Sequence, residues 1–451
     1  NGRIIVGGKG RKHPKEADVF LHIAMKVAKN CRYVEPQFTL RFDKDTSEEI
    51  WDEALDALGA GATYPTLYND DVNVPAVMYG MRVDEKAAEQ YVPFGCTEFV
   101  IQGQSTGTPN ICINLLKLLT IYMNDGIDPI DGKRKSGPVS LKKLEEYQTF
   151  EEFYDGYKAL LDYYLDLSVK AQYHSYEVMN QHVSFLFTSL LTDDCIARGK
   201  ALLDGGVRYL GGTNETYGNI NTSDSLWVIR DLVFNQKKYT LRQLNDAMLA
   251  NFNGYEALRK DCLNCDKYGN DLETADTMAN DLYEFVAKGV RDRGIAIGMQ
   301  YFLIVISNNQ LNTEWGNRTA ASPDGRLSCM YMNPANNPQG GANKSGPTAM
   351  LNSLAKFDAK YHGGSVQNIK FSPSMFNENR AVIKSLFKTY FAKGGCHLMV
   401  TVVDKGVLED AVEHPENYPD LIVRVSGFSA VFVDLSPNIQ QELLSRVLYD
   451  E

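Results

Sequence analysis

The chain has 451 residues, 44% of them hydrophobic and 23% charged, which is enough apolar mass for a large core and excludes an intrinsically disordered chain. A formal net charge of −11 leaves no basic excess to neutralise a phosphate backbone, so nucleic acid is not expected as a partner. No apolar run approaches the ~18 residues that span a bilayer; with no basic head and long apolar stretch at the start either, a cytoplasmic location is expected.

The sequence opens on Asn1 rather than Met, in what reads as an apolar strand, Ile4-Ile5-Val6. The chain is therefore expected to be part of a longer protein or to work with a companion chain. A strand is expected at 76–79. Next comes a loop rich in small residues, with Gly95-Cys96-Thr97-Glu98 and then 103–110, leading into a predicted apolar helix over 111–122. Phe153, Tyr157, Leu160, Leu161, Tyr164 and Leu167, spaced by three and four, predict one apolar stripe along a helix. Residues 205–214 form a second Gly-rich stretch before a helix opening at 219–224, an arrangement that can cradle an anion, although no dinucleotide or phosphate-loop signature accompanies it.

Further helices are predicted over 241–258 and 277–291, and strands over 300–307, 366–371, 396–403 and 421–425. The 396–403 segment is apolar on both faces, as in a strand covered on two sides, and the alternation of such strands with helices predicts an α/β fold with a parallel sheet or barrel. The eight cysteines show no regular spacing and are expected to be reduced. Cys262 and Cys265 form a close pair without the second Cys/His pair a zinc site needs, so no metal is expected.

Two loops carry candidate chemistry. Cys96 sits on a Gly-flanked turn with a carboxylate, Glu98, two residues on, a thiol beside a proton acceptor; a small buried cysteine beside a surface Glu is the plainer reading of composition alone. Gly427, in Arg424-Val-Ser-Gly-Phe-Ser-Ala430, lies between apolar segments close to the end of the sequence, where a tight bend would also ask for glycine.

The segment 424–430, followed by Val431-Phe-Val-Asp-Leu435, resembles the glycyl radical motif of the pyruvate formate-lyase-like superfamily, and Gly95-Cys96-Thr97-Glu98 resembles the cysteine loop of its eliminase and decarboxylase branches. Tyr64-Pro-Thr-Leu-Tyr-Asn-Asp70, Tyr268-Gly-Asn-Asp271, Ser322-Pro-Asp-Gly-Arg326 and Lys344-Ser-Gly-Pro-Thr348 extend the resemblance over essentially the whole chain, as the C-terminal part of such an enzyme. The resemblance implies a ten-stranded α/β barrel with surrounding helices, incomplete at its N-terminus. Its barrel part with the Cys loop would run over about 1–375 and its glycyl radical domain over about 376–451.

The resemblance also implies the chemistry: a radical stored on Gly427, a thiyl radical relayed to Cys96, and Glu98 as the base that drives a dehydratase-type elimination or a C–N, C–S or C–O bond cleavage on a small hydroxylated substrate. Adjacent cysteines, as in pyruvate formate-lyase itself, are absent, which disfavours formate acetyltransferase activity. An arylacetate-type decarboxylase is the alternative within the branch, and a radical-bearing subunit inactive without a partner chain is the alternative outside it. Asn110, expected to contact substrate, stands where diol and choline eliminases carry Asp; an amide hydrogen-bonds but donates no acidic proton, which points away from glycerol, propane-1,2-diol and choline. The implied partners are a radical S-adenosylmethionine activating enzyme with an iron–sulfur cluster and, in a homodimer, a second copy. No organic or metal cofactor is implied in this chain, and an anaerobic setting is.

Overall fold

The computed structural model describes residues 2–31, 33–107, 110–306 and 310–450, with the side chain of Asn110 outside the described part. Its strands, in chain order, are β1 (Arg3–Gly7), β2 (Gln37–Phe42), β3 (Thr66–Asn69), β4 (Tyr91–Phe94), β5 (Glu98–Ile101), β6 (Asn110–Asn114), β7 (Gly211–Tyr217), β8 (Tyr301–Ile306), β9 (His362–Ser365), β10 (Asn368–Phe371), β11 (His397–Val402), β12 (Ile422–Arg424), β13 (Ser429–Val431) and β14 (Leu448–Tyr449). They form a six-stranded sheet in the order β1-β2-β3-β11-β10-β14, a four-stranded sheet in the order β6-β7-β8-β9, and two separate hairpins, β4-β5 and β12-β13.

Within the four-stranded sheet every pairing is parallel, and in the six-stranded sheet only β3 and β11 run antiparallel. Parallel neighbours need long crossovers, and helices supply them. Pro14–Asn30 links β1 to β2, Glu48–Gly59 links β2 to β3, and the 33-residue helix Phe150–His182 lies between β6 and β7. β2 and β8, the latter packed against the helix Glu273–Ala296, are buried along their whole length, the pattern expected of strands with both faces in the interior. The N-terminus of Glu48–Gly59 is fixed by Ser47, whose hydroxyl accepts from the Ile50 N–H at 3.4 Å.

Local expectations fared unevenly. Phe153, Tyr157, Leu160 and Leu161 are fully buried on the predicted helix, but Leu167 faces solvent because the stripe continues through Leu165 and Val169 instead. Residues 76–79 are not a strand: they belong to the helix Asp70–Met81, started by Asn69, whose side chain accepts from Asp71 N–H at 3.2 Å. The helix expected over 111–122 is divided into β6 and the helix Leu115–Met123, with the Asn114 side chain capping the turn between them by accepting from Lys117 N–H at 2.9 Å. The segment 241–258 breaks into Leu241–Leu249 and Glu256–Asn264 where Asn251, Phe252 and Gly254 take positive φ.

The stretch 205–214 is not loop throughout. Gly211 and Gly212 are the first residues of β7, and each is small because an aromatic ring lies against it: a Cβ on Gly211 would overlap the Tyr301 ring, and one on Gly212 would lie 2.7 Å from the Phe302 ring.

Candidate active site

The two candidate loops are the tips of the two separate hairpins. In β4-β5 the register pairs Phe94 with Glu98, leaving Gly95, Cys96 and Thr97 as the turn, which closes when Thr97 N–H donates to Phe94 O at 3.0 Å. That three-residue turn needs positive φ at Gly95 (+52°) and Thr97 (+114°), the first free of cost for glycine and the second strained for threonine. Thr97 is also pinned from behind, since a Cβ on Gly364 would lie 2.8 Å from its hydroxyl. In β12-β13 the register pairs Arg424 with Ser429, and Val425 N–H donates to Phe428 O at 3.1 Å, so Gly427 sits at the tip.

The tips touch. A Cβ added to Gly427 would overlap the Cys96 backbone at Cα and lie 2.7 Å from its Sγ, so residue 427 has room for hydrogen only. Two guanidinium groups lock this approach. Arg3, on β1, donates through Nη2 to Gly95 O at 2.7 Å, to Gly427 O at 3.1 Å and to Gln37 Oε1 at 2.8 Å, and through Nη1 to Pro93 O at 3.1 Å. Arg424, 1% exposed, donates to Gly427 O at 3.1 Å and Ser429 Oγ at 3.2 Å. Burial lowers the Arg424 pKa to about 10, still protonated at neutral pH.

Cys96 is 7% exposed. Burial raises its thiol pKa, and the negative charges of Glu98 and Glu215 raise it further. The group is therefore held as S–H. That argues against an activated thiolate and suits a donor of hydrogen atoms, which needs the S–H bond intact. The Glu98 carboxylate, 3% exposed, folds back over the turn, so that a Cβ on Gly95 would lie 2.8 Å from its Oε2. Behind the site, His397 and His362 are buried and their pKa values lowered by burial, His362 to about 4, so both stay neutral.

In front of the tips lies a cleft of about 900 Å³, bordered by Arg3, Cys96, Glu98, Cys112, Glu215 and Gly427, with Gln37, Gln102, Phe94 and Phe428 at its margins. Cys96, Glu98 and Gly427, singled out from the sequence, are thus brought together. Asn110 begins β6, which supplies Cys112 to the same cleft, but its side chain lies outside the described residues. Sequence reasoning missed Arg3 and Glu215. The alternation Thr213, Glu215, Tyr217 along one strand face was the available signal for the second; a cation at the start of an apolar strand was the only one for the first.

This geometry has relatives. The family described as "Pyruvate formate lyase-like" matches residues 1–311, and the domain described as "Glycine radical" matches residues 332–433, the latter containing Gly427. The chain belongs to the pyruvate formate lyase-like family. Among curated members of this family it is 30% identical over 428 residues to trans-4-hydroxy-L-proline dehydratase of Clostridioides difficile, a match covering 94% of this chain and 54% of that protein. It is 27% identical to (2S)-3-sulfopropanediol dehydratase of Klebsiella oxytoca, covering 98% of this chain and 54% of that one. The fold superposes on the glycerol-bound B12-independent glycerol dehydratase from Clostridium butyricum with a TM-score of 0.91 at 28% identity, covering all of this chain and 57% of that structure. The chain thus spans about half the length of the relatives it matches. Among the described residues no helix is long and apolar enough to cross a membrane.

Proposed function

We propose that the protein is a glycyl radical lyase in which Gly427 stores the radical, Cys96 relays it and Glu98 acts as the base in an elimination on a small hydroxylated substrate. The observation that carries this reading is the contact of the Gly427 and Cys96 tips, at van der Waals range, on the floor of a cleft that also presents Glu98. An activating enzyme, using S-adenosylmethionine and an iron–sulfur cluster, removes one hydrogen atom from Gly427 Cα. The glycyl radical takes the hydrogen of the Cys96 S–H, which restores Gly427 and leaves a thiyl radical. The thiyl radical abstracts a hydrogen atom from a hydroxyl-bearing substrate carbon; Glu98 then removes the hydroxyl proton, the neighbouring group departs, and the product radical recovers its hydrogen from Cys96. Exclusion of water and oxygen protects these intermediates, and the buried tips provide it.

Glu98, Glu215, Gln37 and Gln102 bring polar groups into a cleft otherwise lined by apolar residues such as Ile5, Phe94, Leu311 and Phe428, and these polar groups suit a hydroxylated substrate. Asn110 is placed by this reading at substrate, beside Cys112 on β6. The division at about residue 375 separates the part holding the Cys hairpin from the part holding the Gly hairpin. Solvent-exposed apolar side chains in two places, Val19, Phe20 and Ile23 on one helix and Leu186, Phe187, Leu191 and Ile196 around another, support a surface covered by further protein, whether more of the same chain, a companion or a second copy.

The test is anaerobic electron paramagnetic resonance on the full-length protein after treatment with its activating enzyme, S-adenosylmethionine and a reductant. The expected result is a doublet from a single α-hydrogen, lost in Gly427→Ala. A signal that survives in that variant overturns the assignment.

A further inference from the structure

Strand β7 is buried along its length, and its side chains alternate between faces. Asn214 turns to the long helix Phe150–His182, donating to Ser168 Oγ at 2.7 Å. Its neighbour Glu215 turns the other way, to the cleft floored by Cys96 and Gly427. Register places Cys112 of β6 directly beside it. Glu215 is 4% exposed and is held from two sides at Oε2, by the Tyr217 O–H at 2.6 Å and the Cys112 S–H at 3.8 Å. Cys112 remains a thiol because burial, reinforced by the Glu215 charge, pushes its pKa up to about 12. Both neighbours donate, so Glu215 meets them as an acceptor. Tyr217 is itself buried, 2% exposed and packed on Trp315 with ring centroids 5.2 Å apart.

Charge is uneven around the cleft. Its one bordering cation among the described residues, Arg3, is directed at neutral acceptors, the Pro93, Gly95 and Gly427 carbonyls and the Gln37 side-chain oxygen. Its two bordering carboxylates are Glu98 and Glu215. The elimination assigned to this site requires one base, and Glu98, folded against the Cys96 turn, fills that part. A second carboxylate bordering the same cleft attracts positive charge and repels anions.

We infer that Glu215 is a specificity residue that binds an ammonium group of the substrate, so that the substrate class is a small hydroxylated amine rather than a neutral polyol or a sulfonate. The inference rests on the elimination reading for its chemistry but is tested without turnover, since ligand binding needs no radical. The experiment is calorimetric titration of the full-length, unactivated protein with three ligands of matched shape: 1-aminopropan-2-ol, propane-1,2-diol and 2-hydroxypropane-1-sulfonate. The amine is expected to bind tightest, and Glu215→Gln to weaken it by about thirty-fold while changing the diol by less than about two-fold. Tyr217→Phe, which keeps the charge and removes one donor, is expected to preserve the order of the three ligands and controls for loss of fold. Diol or sulfonate binding tighter than the amine in the unmutated protein overturns the inference, as does a Glu215→Gln variant that weakens all three equally. In the activated protein, a higher kcat/KM for water loss from the diol than from the amine also overturns it, while leaving the elimination reading in place.

Discussion

Three residues, Gly427, Cys96 and Glu98, divide the proposed chemistry, and substitutions at the latter two separate their parts. Cys96→Ser preserves the size of the relay residue but replaces a weak S–H bond by a strong O–H bond. The expected outcome is a Gly427 doublet of undiminished amplitude together with complete loss of turnover, read by electron paramagnetic resonance and product analysis on one sample. Glu98→Gln has a narrower effect. Hydrogen abstraction by Cys96 does not involve the carboxylate, so a substrate labelled with deuterium at the hydroxyl-bearing carbon should still lose label to the protein thiol. Elimination should fall by about 10²–10⁴-fold, the usual worth of a positioned base. Loss of label exchange along with product would assign Glu98 to binding instead.

At the level of the element, the site depends on two hairpin tips meeting, and Arg3 ties them from a third element, β1, by bridging the carbonyls of Gly95 and Gly427. Arg3→Met removes the charge-assisted hydrogen bonds and keeps much of the stem; Gly427 O retains Arg424 as a donor, so the loss falls mainly on Gly95 O, at a cost of about 1–2 kcal/mol. The effect should be local: faster amide hydrogen exchange at residues 95–97 and 426–428, with the core strands β7 and β8 unchanged. Uniform exchange throughout would place Arg3 in global stability instead of loop docking. The tips themselves were legible in the sequence because the segments 95–98 and 424–435 resemble motifs of a known family, and the roles proposed for Gly427 and Cys96 admit few substitute residues. The sheets were legible where strands are apolar on both faces, as in 301–306 and 397–402. Elsewhere tertiary packing outweighed local pattern. Ala76 and Val77 read as strand residues, yet they lie buried on a helix begun by Asn69. Glu215 was hidden behind the glycine-rich stretch 205–212, in which the smallness of Gly211 and Gly212 makes room for the rings of Tyr301 and Phe302. Arg3 offered only the faint signal of a cation opening an apolar strand, since its partners, three backbone carbonyls and the Gln37 side chain, are distant in sequence.

Across the whole molecule, the interior holds titratable groups whose folded and unfolded pKa values differ, so stability must depend on pH in a way that two substitutions can apportion. Asp224, 1% exposed, receives the Tyr268 N–H at 2.9 Å, and its other oxygen has no hydrogen-bond partner among the described residues. Burial moves its pKa from 3.8 up to about 7; Lys267 opposes the shift, and Asp324 and Asp276 add to it. Between these values the folded chain binds the proton that the unfolded chain has released, so this group's contribution is greatest below about pH 4 and is lost as pH rises through 7. His362 has the opposite sign. Burial moves it from 6.5 down to about 4, so the unfolded chain binds the proton first, and the stability this group provides above pH 6.5 is lost as pH falls toward 4. Each shift is worth on the order of 3–4 kcal/mol at full expression. Asp224→Asn keeps the acceptor for Tyr268 and removes the charge, so its melting temperature relative to the unmutated protein should rise steadily from pH 4 to pH 7. His362→Asn keeps an acceptor for the Gly364 N–H, which donates to Nδ1 at 2.8 Å, and removes the basic ring; its deficit should be largest at neutral pH and shrink as pH falls from 6.5 to 4. Differential scanning calorimetry of the full-length protein across that range checks both slopes. A pH-independent gap for either variant would mean that its group ionises in the folded chain as it does in the unfolded one, and that the buried environment is penetrated by water.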